Sequence, residues 1–212
     1  MNSVEIYRNI AGWIICSIVA LNLYAYYYID NAYLMTSSPI LVIYFIVDYP
    51  FCVDQSVKIH HILSILVFLT KYFLNFNTQE SAFVVLTMYK MEISTFFMII
   101  RLFLDHWKHT EFVRRNTGMI NILNIVNNFV FVTTFYKYRI VDYYFNLIGN
   151  DRYYILLDNH ATHWLQCIIF YVSGHGFLLL NLTWCYYINS QIFKIFLHKS
   201  YHEPQAHLLE HW

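Results

Sequence analysis

The sequence predicts an all-α, polytopic membrane protein with six transmembrane helices. Of its 212 residues, 58% are hydrophobic and only 12% are charged. Soluble domains carry about 25% charged residues, roughly twice as many. The second observation is a series of apolar segments near the length of about 20 residues that a bilayer crossing requires. A lipid-facing segment has to satisfy its own backbone hydrogen bonds, so each span should be a helix.

The six helices are expected near residues 8–29, 38–54, 58–76, 81–104, 117–138 and 162–195. The first is an apolar run of about 22 residues without a small-residue cleavage site, so we expect a retained span. The second is short and contains Pro50, which predicts a kink or a tilt. The sixth is too long for one crossing and should emerge into water. Connections are short, so we expect one membrane domain at 1–197 and a cytosolic tail at 198–212.

Positive charges predict the orientation, because lysine and arginine in short loops favour the cytosolic side. One side of the predicted bundle carries seven such residues: Arg8, Lys58, Lys108, Arg114, Arg115, Lys194 and Lys199. The other side carries four: Lys71, Lys137, Arg139 and Arg152. Both termini are therefore expected in the cytosol.

The net charge argues against nucleic-acid binding, and the cysteines argue against a metal site. The formal net charge is zero with neutral histidine, which gives no basic stripe for nucleic acid. The four cysteines lie within apolar runs and lack metal-ligand spacing: Cys16, Cys52, Cys167 and Cys185. We expect them to be small buried apolar side chains, and we expect no metal site.

Ionisable residues inside the predicted spans are the candidate functional residues, because such groups are costly in a bilayer. His60 and His61 are adjacent near the start of the third span. Asp54 precedes His61 by seven residues, so a continuous helix would place its carboxylate below this imidazole. Asp48 in the second span is another candidate partner. A carboxylate that orients an imidazole makes a general base, although the same pair could simply join two helices.

Helical spacing separates the polar residues of the fourth span into two groups. Residues seven or eleven positions apart share a face, which gives one stripe: Thr87, Lys90, Ser94, Phe97 and Arg101. Glu92 and Thr95 point elsewhere, and Glu92 lies about 180° from Arg101. We therefore expect Glu92 and Arg101 each to find a partner on another span.

The fifth span places Asn121, Asn124, Asn128 and Arg139 on one side over five turns. The asparagines are expected to join helices through hydrogen bonds worth about 0.6 kcal/mol each. Arg139 either has a functional role or extends from the helix end to the membrane surface.

A histidine-bound metal is the remote alternative, in the manner of membrane lipid oxidases that bind iron. Eight histidines lie on the predicted cytosolic side: His60, His61, His106, His109, His198, His202, His207 and His211. Imidazole suits iron or zinc. The tight H-x-x-H-H cluster of those oxidases is missing, because position 57 is valine. The histidines of the tail are expected to be solvated.

Four motifs in order resemble the TLC-domain family of multi-pass endoplasmic-reticulum proteins, which includes the ceramide synthases. Residues 44–48 are similar to its aromatic segment that ends in Asp, and HHILS at 60–64 is similar to its His-His-x-x-Ser/Thr signature. MEIST at 91–95, followed by Arg101, resembles the E-[IL]-S-T-P-F…R motif of the branch without ceramide synthases. Residues 135–139, with Asn181 and Trp184, resemble the two closing motifs. The likeness runs from about residue 10 to 195.

The resemblance implies a six-helix TLC-type bundle around a lipid-sized cavity and a role in lipid synthesis, sensing or homeostasis. In the ceramide-synthase branch the histidine pair supports transfer of a fatty acyl group from acyl-CoA to a sphingoid amine. Carried over, His60 and His61 are the base or the acyl acceptor, and Asp48 or Asp54 is the orienting carboxylate. The residues assigned to lipid or acyl binding are Ser64, Lys90, Glu92, Ser94, Thr95, Arg101, Arg139, Asn181 and Trp184.

The incomplete synthase signature favours lipid binding or sensing over catalysis. The segment at 88–94 lacks the acidic run and the Leu-Glu pair of the synthases. Phe96 also stands where the E-[IL]-S-T-P-F motif has Pro. The first prediction is therefore a lipid-binding protein of the endoplasmic reticulum or another endomembrane, with no resident cofactor. An N-acyltransferase with acyl-CoA as co-substrate is the alternative.

Overall fold

A computed structural model describes residues 3–28, 38–73, 78–107, 115–159 and 163–200, and these residues are almost entirely helical. The helices are α1 (Ser3–Tyr28), α2 (Ser38–Asp48), α3 (Gln55–Phe73), α4 (Thr78–Trp107), α5 (Thr117–Phe135), α6 (Asp151–Asn159) and α7 (Trp164–Ser200). The all-α prediction is confirmed. Each of the six predicted segments overlaps with a helix. Residues 29, 74–76 and 162, at the ends of these segments, lie outside the described residues.

Four of the described helices are long and apolar enough to cross a membrane. These segments are Ile6–Tyr27, Ala82–Asp105, Thr117–Ile148 and Trp164–Lys194. The other two apolar helices, Ser38–Phe51 and Gln55–Thr70, are shorter. Large apolar side chains such as Leu21, Ile43 and Phe129 are exposed on the outside, as expected where lipid covers a helix.

The segment with Pro50 ends α2 instead of bending it. The helix stops at Asp48, Pro50 lies in a 3-10 turn at Tyr49–Phe51, and Cys52 is extended. Pro50 has no backbone N–H to donate to the carbonyl of Ile46, and its ring crowds that carbonyl, so the α-helix ends here. The predicted second helix therefore ends six residues earlier than residue 54, and α3 begins anew at Gln55.

Helix α5 continues beyond its predicted end at residue 138 in π-helical form, over Tyr136–Asp142 and Tyr144–Ile148. A π-helix has more residues per turn than an α-helix, so it changes the face on which later side chains lie. Arg139 is consequently turned into the protein, where its exposed fraction is 3%.

The short helix α6 is absent from the prediction because it is too short and too polar to resemble a span. Asp151, Arg152 and Asp158 are exposed, whereas Tyr153 is buried and its hydroxyl donates to the carbonyl of Phe170 at 3.0 Å. Burial raises the pKa of the Tyr153 phenol, so the hydroxyl keeps the proton that it donates.

The helices pack in pairs around one main apolar core. Helix α1 packs against α4, α3 packs against both α2 and α7, and α4 packs against α5. The core includes Val19, Leu41, Phe68, Tyr89 and Phe177. No disulfide bond joins the four cysteines; Cys16 and Cys52 are buried as expected, and Cys167 and Cys185 are half-buried.

Candidate functional site

His61 is paired with Asp48 across the interface between α3 and α2. Its Nε2 lies 2.8 Å from Oδ2 of the carboxylate, and both side chains are buried. The rings of Tyr44 and Phe45 lie beside the imidazole. Of the two predicted orienting carboxylates, Asp48 is the one in contact with His61. Because an ionised carboxylate only accepts hydrogen bonds, Nε2 is the donor in this contact.

Asp48 also joins the second helix to the first. Arg8 Nε donates to Asp48 Oδ1 at 2.8 Å, and the thiol of Cys52 donates to Asp48 Oδ2 at 3.2 Å. Arg8 Nη2 additionally donates to the sulfur of Cys52 at 3.5 Å. From the sequence, Arg8 indicated only the orientation, and Cys52 was expected to be an apolar side chain. Arg8 is forty residues from Asp48, so no sequence pattern links the two. The i, i+4 spacing of Asp48 and Cys52 is a weak signal of their contact.

His60 forms a second pair with Glu92 of α4. Nε2 of the imidazole lies 3.3 Å from Oε1 of Glu92, and both residues are buried. This contact agrees with the expectation that Glu92 has its partner on another segment. The ring of His60 is surrounded by Phe45, Phe177 and Trp184, with ring centroids between 5.4 and 5.8 Å away.

Arg139 holds α4, α5 and α7 together through its guanidinium group. Nε donates to Ser94 Oγ at 2.7 Å, and Nη2 donates to Thr95 Oγ1 at 2.7 Å. Nη1 donates to Asn181 Oδ1 at 3.4 Å, while Asn181 Nδ2 donates back to the carbonyl of Arg139 at 3.0 Å. The alternative in which Arg139 reaches the membrane surface is therefore wrong, because the π-helical turn directs the side chain inward.

Trp184 connects His60 to the arginine cluster, which consists of Arg139 and its partners Ser94, Thr95 and Asn181. The guanidinium carbon of Arg139 lies 5.0 Å from the Trp184 ring, close enough for a cation–π contact. The indole Nε1 donates to Ser56 Oγ at 2.9 Å. Ser56 in turn donates from both its backbone nitrogen and its hydroxyl to Asp54 Oδ1 at 2.6 Å. Asp54 is exposed and directly precedes α3, and the carboxylate in contact with His61 is Asp48 instead.

Three buried polar atoms on one side of α3 lack hydrogen-bond partners among the described residues. They are Nδ1 of His60, Nδ1 of His61 and Oγ of Ser64. An unsatisfied buried polar atom costs about 1–3 kcal/mol, so proteins normally supply water or a ligand group at such a place. All three atoms belong to the HHILS motif at 60–64.

The carboxylates and guanidinium groups of the site balance one another. Asp48 and Glu92 contribute two negative charges, and Arg8 and Arg139 contribute two positive charges. Because a net charge is unfavourable in an apolar interior, this balance stabilises the site.

Lys90 lies on a different face of α4 from Glu92. It is half-buried and lies two residues before Glu92, about 200° away around the helix. Arg101 Nε lies 3.9 Å from Asp105 Oδ2, one turn further along its own helix.

The asparagines of α5 follow the prediction only in part. Asn128 Nδ2 donates to Asn124 Oδ1 at 3.2 Å within the same helix, and Asn121 is exposed. The contact between helices comes from Asn127, whose Nδ2 donates to the carbonyl of Phe97 at 3.0 Å. Asn127 was missed because the expected stripe lay on the neighbouring face.

Most of the histidines considered for a metal centre are outside the described side chains, namely His106, His109, His198, His202, His207 and His211. The tail at 201–212 also lies outside the described residues. Among the described residues, Asp48, Cys52 and His61 bring three potential ligand atoms within 4.8 Å of one another.

Comparison with known proteins identifies no relative. No protein-family model, curated protein or solved structure matches this chain.

Proposed function

We propose that this chain is a six-span TLC-type membrane protein that binds a lipid or acyl chain within its helical bundle and serves lipid homeostasis. The observation that carries the proposal is the set of unpartnered polar atoms on α3. His60 Nδ1, His61 Nδ1 and Ser64 Oγ are buried, and they lie between apolar helices that are compatible with a membrane. A lipid has a polar group for these atoms and an apolar chain for their surroundings.

The surroundings of the imidazoles support an apolar ligand. Phe45, Phe177 and Trp184 line His60, and Tyr44 lies beside His61. Aromatic and aliphatic walls with a few fixed polar groups are typical of small-molecule sites. Glu92 and Asp48 hold the two rings in place, so the acceptors have defined positions before a ligand arrives.

The proposed location is the endoplasmic reticulum or another endomembrane, with both termini in the cytosol. The motif resemblance supports the compartment, and the excess of lysine and arginine in the predicted cytosolic loops supports the orientation. The four membrane-compatible helices support integral association with the bilayer.

The second candidate is an acyl-CoA-dependent N-acyltransferase, favoured by the free Nδ1 of His61 and its carboxylate partner Asp48. In this reaction His61 takes a proton from the attacking amine while nitrogen bonds to the thioester carbon. The carbon–sulfur bond breaks, an amide forms, and CoA leaves as the thiol. Lys90 and Arg101 would bind phosphate or carboxylate groups near the mouth of the lipid cavity that the resemblance implies. A positioned base typically contributes about 10²–10⁴-fold to the rate.

The test is mass spectrometry of lipids that copurify with wild-type chain and with the His60→Ala/His61→Ala double variant, with acyl-CoA added. The matched control is His175→Ala, because His175 stacks on Tyr171 away from the paired histidines. A lipid retained by wild type and by the control, but lost from the double variant, supports lipid binding at the site. Thermal unfolding of each variant shows whether lipid and stability are lost together.

Two other results decide between the candidates. An acyl adduct or N-acylated product seen only with wild type and the control establishes the acyltransferase. Equal occupancy by intact lipid in all three chains, with no product, contradicts a lipid site at the histidines and makes them structural.

A further inference from the structure

We propose that Asp48, Cys52 and His61 form a binding site for a zinc ion. Asp48 ends α2, Cys52 follows the 3-10 turn, and His61 lies on α3. All three residues are buried, and their carboxylate, thiol and imidazole ligand atoms lie within 4.8 Å of one another. Asp48 Oδ2 is the central atom, 2.8 Å from His61 Nε2 and 3.2 Å from Cys52 Sγ.

The combination of ligand atoms favours zinc over the harder cations. Zinc binds sulfur, imidazole nitrogen and carboxylate oxygen, whereas magnesium and calcium prefer oxygen alone. Zinc–ligand bonds of about 2.0–2.3 Å in a tetrahedral site separate the ligand atoms by roughly 3.2–3.8 Å. The hydrogen-bonded separations here are slightly shorter, so small side-chain movements would admit the ion. Three protein ligands leave the fourth position for water or another oxygen, as in catalytic zinc sites.

Arg8 is placed to support the ion and not to compete with it. Its Nε binds Asp48 Oδ1, which leaves Oδ2 directed toward Cys52 and His61. Hydrogen bonding to the outer oxygen of a ligating carboxylate is a common second-shell arrangement. Arg8 Nη2 also donates to the sulfur. On binding, the thiol releases its proton to solvent, and the proton of the His61 ring shifts from Nε2 to Nδ1, so that the sulfur and Nε2 each form a bond to the zinc ion.

The turn at Tyr49–Phe51 explains why sequence spacing alone did not indicate this site. Cys52 is held against Asp48 by the turn, and its backbone nitrogen donates to the carbonyl of Tyr49 at 3.3 Å. His61 arrives from a separate helix, so its proximity depends on the packing of α2 against α3.

The experiment uses the full-length chain without a histidine tag, purified in detergent, loaded with Zn²⁺ and freed of excess metal by gel filtration. Metal content per chain is measured by mass spectrometry. Co²⁺ replaces Zn²⁺ in a second sample, because a cobalt–thiolate bond gives a charge-transfer band in the near ultraviolet that histidines of the tail do not give. The variants are Cys52→Ser and, as a matched control, Cys16→Ser, which alters another buried cysteine.

We expect one tightly held zinc ion and the thiolate band in wild type and in Cys16→Ser. Cys52→Ser should lose the band and weaken zinc binding by more than about 100-fold, the upper range for changes that alter only outer-shell groups. A wild-type chain without the thiolate band overturns the proposal, whatever the folding of the variant. A folded Cys52→Ser chain that retains both zinc and the band also overturns it.

The zinc proposal goes beyond the proposed lipid function, and each of the two proposals can be contradicted without the other. His60→Ala removes a partner of Glu92 without changing a zinc ligand. It should therefore reduce lipid occupancy and leave zinc binding intact. Lipid retained without zinc in wild type contradicts the metal proposal only, and zinc retained without lipid contradicts the lipid proposal only.

Discussion

His60 and Glu92 meet inside the helical bundle, with Nε2 of the histidine 3.3 Å from Oε1 of the glutamate. This contact joins α3 to α4 at a place where aromatic rings cover the imidazole. Glu92 also lies close enough to Arg139 for electrostatic attraction. The glutamate thus connects the histidine pair to the arginine cluster.

Replacing the charge of Glu92 should destabilise the protein. Glu92→Gln keeps the side-chain shape but leaves the buried guanidinium of Arg139 without its nearby negative charge. A buried charge that loses a compensating charge nearby costs several kcal/mol. We expect a loss of this size in the free energy of unfolding, measured by denaturant titration in detergent micelles. Asp158→Asn, an exposed change on α6, should leave that free energy unchanged. Equal stability of wild type and Glu92→Gln contradicts the proposed charge balance.

Arg139 should not tolerate replacement by lysine. A guanidinium has the fixed geometry to reach Ser94, Thr95 and Asn181 together, whereas an ammonium group is a compact point charge. Arg139→Lys should therefore lower the free energy of unfolding by about 2–4 kcal/mol, from the loss of one or two charged hydrogen bonds. Thermal unfolding in detergent measures the effect. Arg152→Lys is the control because Arg152 is exposed. A loss equal to that of the control would show that the three contacts contribute little.

Asn127 should contribute more to stability than the asparagines that share the predicted stripe. Its side chain bonds the carbonyl of Phe97 on another helix, whereas Asn121 is exposed. Asn127→Ala should cost about 0.6–1.7 kcal/mol, the range of hydrogen bonds between membrane helices. Asn121→Ala should change the free energy of unfolding by less. The prediction is wrong if the order of the two effects is reversed in the same denaturation assay.

Replacing Gly174 by alanine should destabilise the protein, because Gly174 lies against Tyr153. An added Cβ would lie 2.5 Å from the hydroxyl oxygen of Tyr153, which is buried and bonded to the carbonyl of Phe170. Forcing a methyl group into such a contact costs about 1–3 kcal/mol. The penalty, measured by thermal unfolding, should shrink in a Tyr153→Phe background that lacks the hydroxyl.

Gly118→Ala is the matched control for this substitution. An added Cβ at Gly118 meets no atom of the described residues within 4 Å, and Gly118 lies within α5. Alanine is favoured over glycine in a helix by about 1 kcal/mol, so this variant should be neutral or more stable. Similar losses for both alanine variants would mean that the contact with Tyr153 is not the cause.

Much of the helical layout could be predicted from local sequence because hydrophobic length and helix-breaking residues act locally. The six apolar segments all contain helices, and Pro50 correctly indicated an interruption near the end of α2. The interruption is a full helix end and not a kink, because the chain must turn there to bring α3 against α2. The short helix α6 lacked the apolar length on which the prediction depended.

The sequence by itself determined that His60, His61, Glu92 and Arg139 are unusual, because ionisable groups in apolar segments need partners or a function. Only the tertiary structure decided the pairing, since Asp48, Glu92 and Arg8 approach the histidine pair from separate helices. Local spacing indicated Asp54, with Asp48 of the second span as another candidate, but the start of α3 at Gln55 leaves Asp54 at the surface. Likewise, the π-helical segment after Phe135 changed the direction of Arg139, a change of helical phase that regular α-helical periodicity does not predict.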